Sequence, residues 1–216
     1  MRAAGAGCAS SAGGEGRYLL VLRLATPGDL GDIRGLVREA AAWLRKSKET
    51  DQWATPWPDP AAQIERIRND LVKGKVWLVW DDTTTAATIT VDTQGPLALN
   101  EQPVWPADKS TEPALYVRRV IVRRRYAGRG LGAALLDWAA DMARRDHEAA
   151  LIRIDVWTTN SDLHAYFAGQ RFTRCAGRDT RELANHPALA VFERKADRSG
   201  SAYGTMFVEE EVPGEP

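Results

Sequence analysis

One segment of this 216-residue chain constrains its fold more than any other: LYVRRVIVRRRYAGRGLG, residues 115–132, followed by AALLDWAADMARR. Leu115 to Val122 is rich in β-branched residues and reads as a strand. From Gly130 to Arg145, Leu131, Leu135, Leu136 and Met142 recur at helical spacing. Between the two, Gly128, Gly130 and Gly132 alternate. A glycine-rich turn from strand to helix leaves main-chain N–H groups at the positive end of the helix dipole, where an anion can approach closely. Such a turn suits a pyrophosphate. A Walker loop would need GxxxxGK[ST], and no Lys-Ser or Lys-Thr follows these glycines. A dinucleotide fingerprint would need GxGxxG, whereas the spacing here is GxGxG.

The remaining pattern supplies sheet and helix around this unit. Leu19 to Leu24 predicts a strand, and Thr26, Pro27 and Asp29 start a helix that runs to about Lys46 on Ile33, Leu36, Val37, Ala40 and Leu44. Asp59 and Pro60 start a second, ended by Gly74. Strands are expected over Val76 to Trp80, Ala86 to Val91 and Leu151 to Trp157. Asn160 caps a helix to about Gln170, and Phe172 to Cys175 and Leu189 to Glu193 complete the sheet. Thr93 to Glu112 reads as a long surface loop. The order predicts an α/β domain over residues 18–195, a mixed sheet with helices on both faces. Residues 1–17 read as a flexible tail and 196–216 as a polar one.

Composition narrows the partners. Lys plus Arg and Asp plus Glu number 29 each, so net charge drives the chain towards neither nucleic acid nor membrane. No apolar run approaches the ~20 residues of a membrane span. Cys8 and Cys175 make no disulfide framework, which fits a reducing, cytoplasmic setting. The sequence leaves a homodimer open.

The glycine segment resembles motif A of the GNAT superfamily of N-acetyltransferases, Q/R-x-x-G-x-G/A, which binds the pyrophosphate of acyl-CoA. Arg125, Gly128 and Gly130 reproduce the letters. Counting from the strand residue Val122 instead places Ala127 at the Arg/Gln position, with Gly130 and Gly132 as the glycines. The second register is preferred because GLGAALL then begins the helix, although Ala127 lacks the usual side chain. The resemblance spans about Leu19 to Lys195. It implies a central, mostly antiparallel sheet with a splayed parallel strand pair, and acetyl-CoA as co-substrate; no metal is expected, because His164 has no Cys or acid at metal-ligand spacing and His147 and His186 read as exposed. It implies coenzyme contacts from Val120, Ile121 and Val122 along the pantetheine arm, and from Ala127, Gly128, Arg129, Gly130, Leu131, Gly132 and Ala133 at the turn. The six arginines from Arg118 to Arg129 fit a coenzyme with three phosphates, or equally a solvated basic face.

Asn160, Leu163, Tyr166, Phe167 and Phe172 resemble motif B, in which the Asn contacts the coenzyme and a Tyr protonates the departing thiolate. Phe167 stands where that Tyr belongs, Tyr166 lies one residue earlier, and Arg171 replaces the usual Gly. Tyr166 or water is therefore the candidate proton donor, and Tyr166 is equally readable as helix core. On the strand Leu151 to Trp157, Arg153, Asp155 and Trp157 share one face. A polar face on an inner strand suggests a substrate cleft, which makes Asp155 a candidate to position or deprotonate an amine. An ion pair with an arginine explains it as well. Glu112 is a second candidate base. Trp53 and Trp57 fall where the family builds its acceptor pocket and are candidate walls for a small-molecule amine. Two alternatives stay open: a protein lysine or N-terminal amine as acceptor, and a non-catalytic acyl-CoA-binding protein.

Overall fold

The computed structural model describes residues 19–50, 52–53, 56, 59–95, 105, 109, 111–175, 188–197 and 203–210. Residues 1–17, expected to be a tail, and Trp57 lie outside them. The strands are β1 (Leu20–Leu24), β2 (Val76–Asp81), β3 (Thr84–Asp92), β4 (Ala114–Val122), β5 (Leu151–Trp157), β6 (Thr173–Cys175), β7 (Leu189–Lys195) and β8 (Phe207–Glu209). The helices are α1 (Leu30–Ser47), α2 (Pro60–Val72), α3 (Leu131–His147) and α4 (Ser161–Gly169). All eight strands form one sheet in the order β6-β7-β5-β4-β3-β2-β1-β8. Among the described residues, only β4/β5 and β1/β8 run parallel.

Alternation along the strands divides the core into two layers. Trp77 and Val79 of β2 point to one face, where they join Leu131, Leu135, Leu136 and Trp138 of α3. Val76 and Leu78 point to the other, against Ile33 and Leu36 of α1 and Ile67 and Leu71 of α2. Each fully buried large apolar side chain stabilises the fold by about 1.5–3 kcal/mol relative to exposure, so the two helix layers pin the sheet from both sides. The starts of the helices follow local chemistry. Asp59 accepts hydrogen bonds from the amides of Ala61 and Ala62 at 2.8 and 3.0 Å, with Pro60 in the first turn. No helix among the described residues is long and apolar enough to cross a membrane.

The polar tail expected beyond residue 195 is corrected at 207–209. Phe207 pairs with Leu20 and is buried, so β8 extends the sheet along the far edge of β1. Glu209 accepts a hydrogen bond from Trp138 Nε1 at 3.0 Å, and Tyr203 donates to Asp141 at 2.8 Å. Both bonds fasten this segment to α3.

Candidate active site

A gap opens where β4 and β5 part. They pair in parallel from Ala114↔Leu151 to Val117↔Ile154, yet continue without pairing to Val122 and Trp157. The cause lies in β4. Thr90 of β3 faces Arg118 and Thr88 faces Ile121, so Arg119 and Val120 together oppose Ile89 alone. This is a β-bulge, which bends the strand away from its neighbour. Arg119 has φ +49°, unusual for a residue with a side chain. Its guanidinium is anchored on Thr90 Oγ1 at 3.2 Å and on the Asp70 carboxylate of α2. A regular strand would send consecutive residues to opposite faces. The bulge instead turns both Arg118 and Arg119 towards Asp70. Beyond it, Ile121 and Val122 pair with β3 on one edge, while the edge facing β5 has no strand partner among the described residues.

The glycine turn closes the upper end of this gap. A single 3-10 turn, Arg124–Tyr126, leads to Ala127, whose amide is spent on Arg124 O at 3.1 Å. Gly128 and Gly130 take φ +77° and +82°, and α3 begins at Leu131 directly after Gly130. The first bond inside α3 runs from Ala134 N to Gly130 O at 3.0 Å. The amides of Gly130, Leu131, Gly132 and Ala133 are thus the four that helix geometry leaves without an intrahelical acceptor. Gly128, Arg129 and Gly130 are exposed. Two side chains bracket the turn. A Cβ added at Gly130 would lie 2.9 Å from Met206 Cε, and one at Gly132 would lie 2.8 Å from Tyr166 Oη and 3.7 Å from Val122 Cγ2. The main chain is therefore approachable only because these residues lack side chains. Open amides at a positive helix end form a cradle for a phosphate-sized anion, and the residues present fit the diphosphate of a coenzyme.

The basic run divides in two. Arg118, Arg119 and Arg123 are tied into the fold, Arg123 through Thr85 O, Thr85 Oγ1 and Glu39. Arg124, Arg125 and Arg129 are exposed at the turn. Arg124 lies over the Trp43 ring at 4.1 Å, and Arg125 over Tyr126 at 4.7 Å.

Asn160 caps α4, as its position suggested: Oδ1 accepts from Leu163 N at 3.1 Å. The expected coenzyme contact is harder to reconcile with its surroundings. Its Nδ2 donates to Gln52 Oε1 at 2.7 Å, and the residue is only 4% exposed. Both ends of the amide are used within the protein, binding the segment after α1 to the start of α4. Thr50 and Thr159 hydroxyls at 3.1 Å, and Lys48 with Asp162 at 2.7 Å, reinforce that seam. Nothing local in the sequence marks Gln52 for this task.

Phe167 is buried against Phe172 and Phe192, whereas Tyr166 is 38% exposed. One residue of helix, about 100° of rotation, separates the two outcomes. Tyr166 Oη stands over the glycine turn rather than beside the bulge. Val122 and Arg119 are three strand residues apart, or about 10 Å. Burial pushes the phenol above its ordinary pKa, with the Asp137 carboxylate adding to the rise and Arg194 opposing it. The hydroxyl consequently keeps its proton well into alkaline solution.

The polar face of β5 serves two purposes. Arg153 is fully buried, donating to Glu112, Glu193, Lys109 O and Tyr116 Oη, with its guanidinium 4.7 Å from the Trp105 ring. Glu112 thus belongs to a clamp at the paired end of β4 and β5, remote from the gap. The structure does not bring this candidate base together with the turn. Asp155 sits one residue beyond the last parallel pair, half-buried, and acts electrostatically on Arg66 of α2. It does front the gap. Trp53, half-buried with φ +63°, packs against the core layer of α1 and α2. The charged set on this side, with Arg66 and Asp70 spaced i, i+4 on one face of α2, escaped the motif-based reading. That spacing was its visible signal.

The comparisons with known proteins agree with this geometry. The profile of the Acetyltransferase (GNAT) family matches residues 37–172. The "Uncharacterized N-acetyltransferase YesJ" of Bacillus subtilis (strain 168) is 30% identical over 139 residues, covering 64% of this chain and 73% of that protein. A GNAT-family acetyltransferase from Listeria monocytogenes 4b F2365 has a similar structure, with a TM-score of 0.61 at 19% identity, covering 82% of this chain and 94% of that one. The PaiA N-acetyltransferase of Thermoplasma acidophilum, solved in complex with coenzyme A, gives a TM-score of 0.58 at 16% identity over 82% and 99% of the two chains. At these identities the solved structures establish a common fold, and the family profile together with YesJ establishes kinship. This chain belongs to the GNAT family of acetyltransferases, enzymes of acetyl-CoA-dependent acyl transfer.

Proposed function

We propose that this protein moves the acetyl group of acetyl-CoA to the primary amine of a small molecule, by direct attack within a ternary complex. One juxtaposition carries the reading: four open amides at the start of α3 lie immediately beyond a strand whose β5-facing edge is unpaired. The amides of Gly130 to Ala133 receive the diphosphate, with Gly128 and Arg129 in the approach to them. The open edge of β4 from Val120 to Val122 pairs with the amides of the pantetheine arm, as an added strand would. The thioester then lies in the gap near the bulge.

The acceptor enters from the α1/α2 side, where Asp155 orients its nitrogen. The amine attacks the thioester carbonyl, the N–C bond forms, the C–S bond breaks and the nitrogen's proton passes to solvent. Tyr166, over Val122 and Gly132, hydrogen-bonds the coenzyme where arm meets diphosphate. Water at the open end of the gap protonates the thiolate. Holding the two reactants in line supplies most of the rate gain.

Titration calorimetry with acetyl-CoA, followed by an amine-library screen for release of free thiol, tests the proposal. Binding followed by thiol release with small amines is expected. Neither heat nor thermal shift on adding acetyl-CoA would sink the coenzyme assignment, and turnover only with polypeptide acceptors would move the activity to proteins.

A further inference from the structure

Tyr166 and Met206 flank the open amides of α3 from opposite directions. Tyr166 belongs to α4, which lies by β5 and β7 through His164 on Trp157 O and Phe167 on Phe192. Met206 stands just before β8, and the strand order puts β1 and β8 on the other side of β4 from β5. A Cβ added at Gly130 would lie 2.9 Å from Met206 Cε and 4.0 Å from its Sδ. The thioether therefore reaches the first of the amides while the rest of the side chain packs on the core.

Met206 is held there from several directions. A single 3-10 turn, Tyr203–Thr205, leads into it. Its amide donates to Tyr203 O at 2.8 Å, and its carbonyl accepts from Leu20 N at 3.1 Å. The Tyr203 hydroxyl donates to Asp141 of α3 at 2.8 Å, and the Tyr203 ring stacks on buried Phe207 with centroids 5.7 Å apart. Glu209 accepts from Trp138 Nε1 and pairs with Arg145, both on α3. Methionine is an adaptable side chain, but here its main chain is pinned on both sides and only its outer atoms can adjust. The side chain remains half-buried, so part of it faces the approach to Gly130.

We propose that Met206 is a coenzyme-binding residue, its thioether packing against the adenosine end of coenzyme A as that end leaves the glycine turn. The proposal rests on the coenzyme placement given above and adds a contact from outside residues 37–172, the stretch matched by the family profile. The direction follows from the two flanks. The pantetheine arm lies in the gap on the β5 side, the diphosphate sits on the amides of Gly130 to Ala133, and the adenosine continues past Gly130 to the opposite side. Sulfur beside an aromatic ring is attractive, and a purine supplies the ring. The apolar methyl also keeps water from one side of the amide–diphosphate hydrogen bonds, which strengthens them.

The full chain holds three methionines, Met1, Met142 and Met206, so methyl-labelled methionine gives a spectrum in which Met206→Leu assigns the signal by its loss. Saturating coenzyme A should move the Met206 methyl signal upfield, as a purine face against it requires. Phosphopantetheine, which carries the arm without adenosine, should leave that signal close to its free position. In calorimetry, Met206→Ala should weaken coenzyme A binding about three- to tenfold, the scale of a thioether on a ring. Met206→Leu keeps the apolar bulk, guards the fold and should lose less. A methyl signal that coenzyme A does not move would overturn the proposal, as would wild-type affinity for coenzyme A in Met206→Ala. If the wild-type protein binds no coenzyme A at all, the coenzyme placement itself falls, and the role of Met206 with it.

Discussion

The two ends of β4 use the same chemistry to opposite effect. At the paired end, one fully buried arginine, Arg153, is matched by Glu112, Glu193, a carbonyl and a tyrosine hydroxyl, under the ring of Trp105. At the other end, Arg118 and Arg119 share Asp70 and Asp92 with Lys75, and one buried guanidinium nitrogen is left over. The first cluster answers its guanidinium on every side and closes the strand pair, although the Trp105 indole N–H above it finds no acceptor. The second, among the described residues, shares two carboxylates between three cations and stands where the pair opens. Buried charge that is fully matched serves the fold, whereas the Arg118 cluster holds its carboxylates in common at the point where the strands part.

Three substitutions probe that contrast. Gly132→Val should have the largest effect: its side chain would push the exposed Tyr166 ring outward and stand over the amides at the start of α3, so acetyl-CoA binding by calorimetry should vanish while the melting temperature stays near wild type. A variant that melts early but binds normally would erase the division between fold and site at this position. Next, Arg153→Ala should cost about 2–5 kcal/mol of unfolding free energy, because truncating a fully buried side chain leaves a cavity under Trp105 and strips Glu193, Lys109 O and Tyr116 Oη of a donor. Denaturant melts measure this, and the folded fraction should bind acetyl-CoA as before. A stable variant with impaired coenzyme affinity would make the paired end part of the site. The smallest change belongs to Tyr166→Phe, which should raise the KM for acetyl-CoA about fivefold, the worth of one ordinary hydrogen bond, with kcat little altered. A fall in kcat at unchanged KM would instead return the phenol to the sulfur as proton donor. The pH dependence has a definite sign. Burial raises the Tyr166 pKa, so the donating, neutral form persists as pH rises. Between pH 7 and its ordinary pKa of ~10, Tyr166 should therefore cause no loss of coenzyme affinity.

The legible parts of this protein are those whose cause is local. Glycines at the turn, apolar periodicity in α3 and the asparagine before α4 each announce their structure within a few residues. The bulge does not, because Arg119 has no sequence preference for φ +49° and takes it under the pull of Asp70 and Thr90. The face of β5 was half legible: alternation grouped Arg153 with Asp155, but only tertiary packing covers the first with Trp105 and leaves the second at the gap. Glu112 looked catalytic for want of knowledge of its partner. Asn160 announced a cap, yet Gln52, 108 residues away in the chain, takes its other end. β8 is three residues in polar surroundings, and its parallel pairing with β1 spans nearly the whole polypeptide.

That last pairing brings the segment around β8 beside the glycine turn. Met206 rests against Gly130, and its carbonyl accepts from Leu20 N at 3.1 Å. Trimming the protein at Lys195 would remove Met206, which walls one side of the glycine turn, along with the outermost strand. Trp138 would lose its acceptor, and β1 would present a bare edge to any neighbouring chain. The outline of the catalytic unit is therefore drawn by both extremities of the described sheet, well outside the stretch its kin most visibly share.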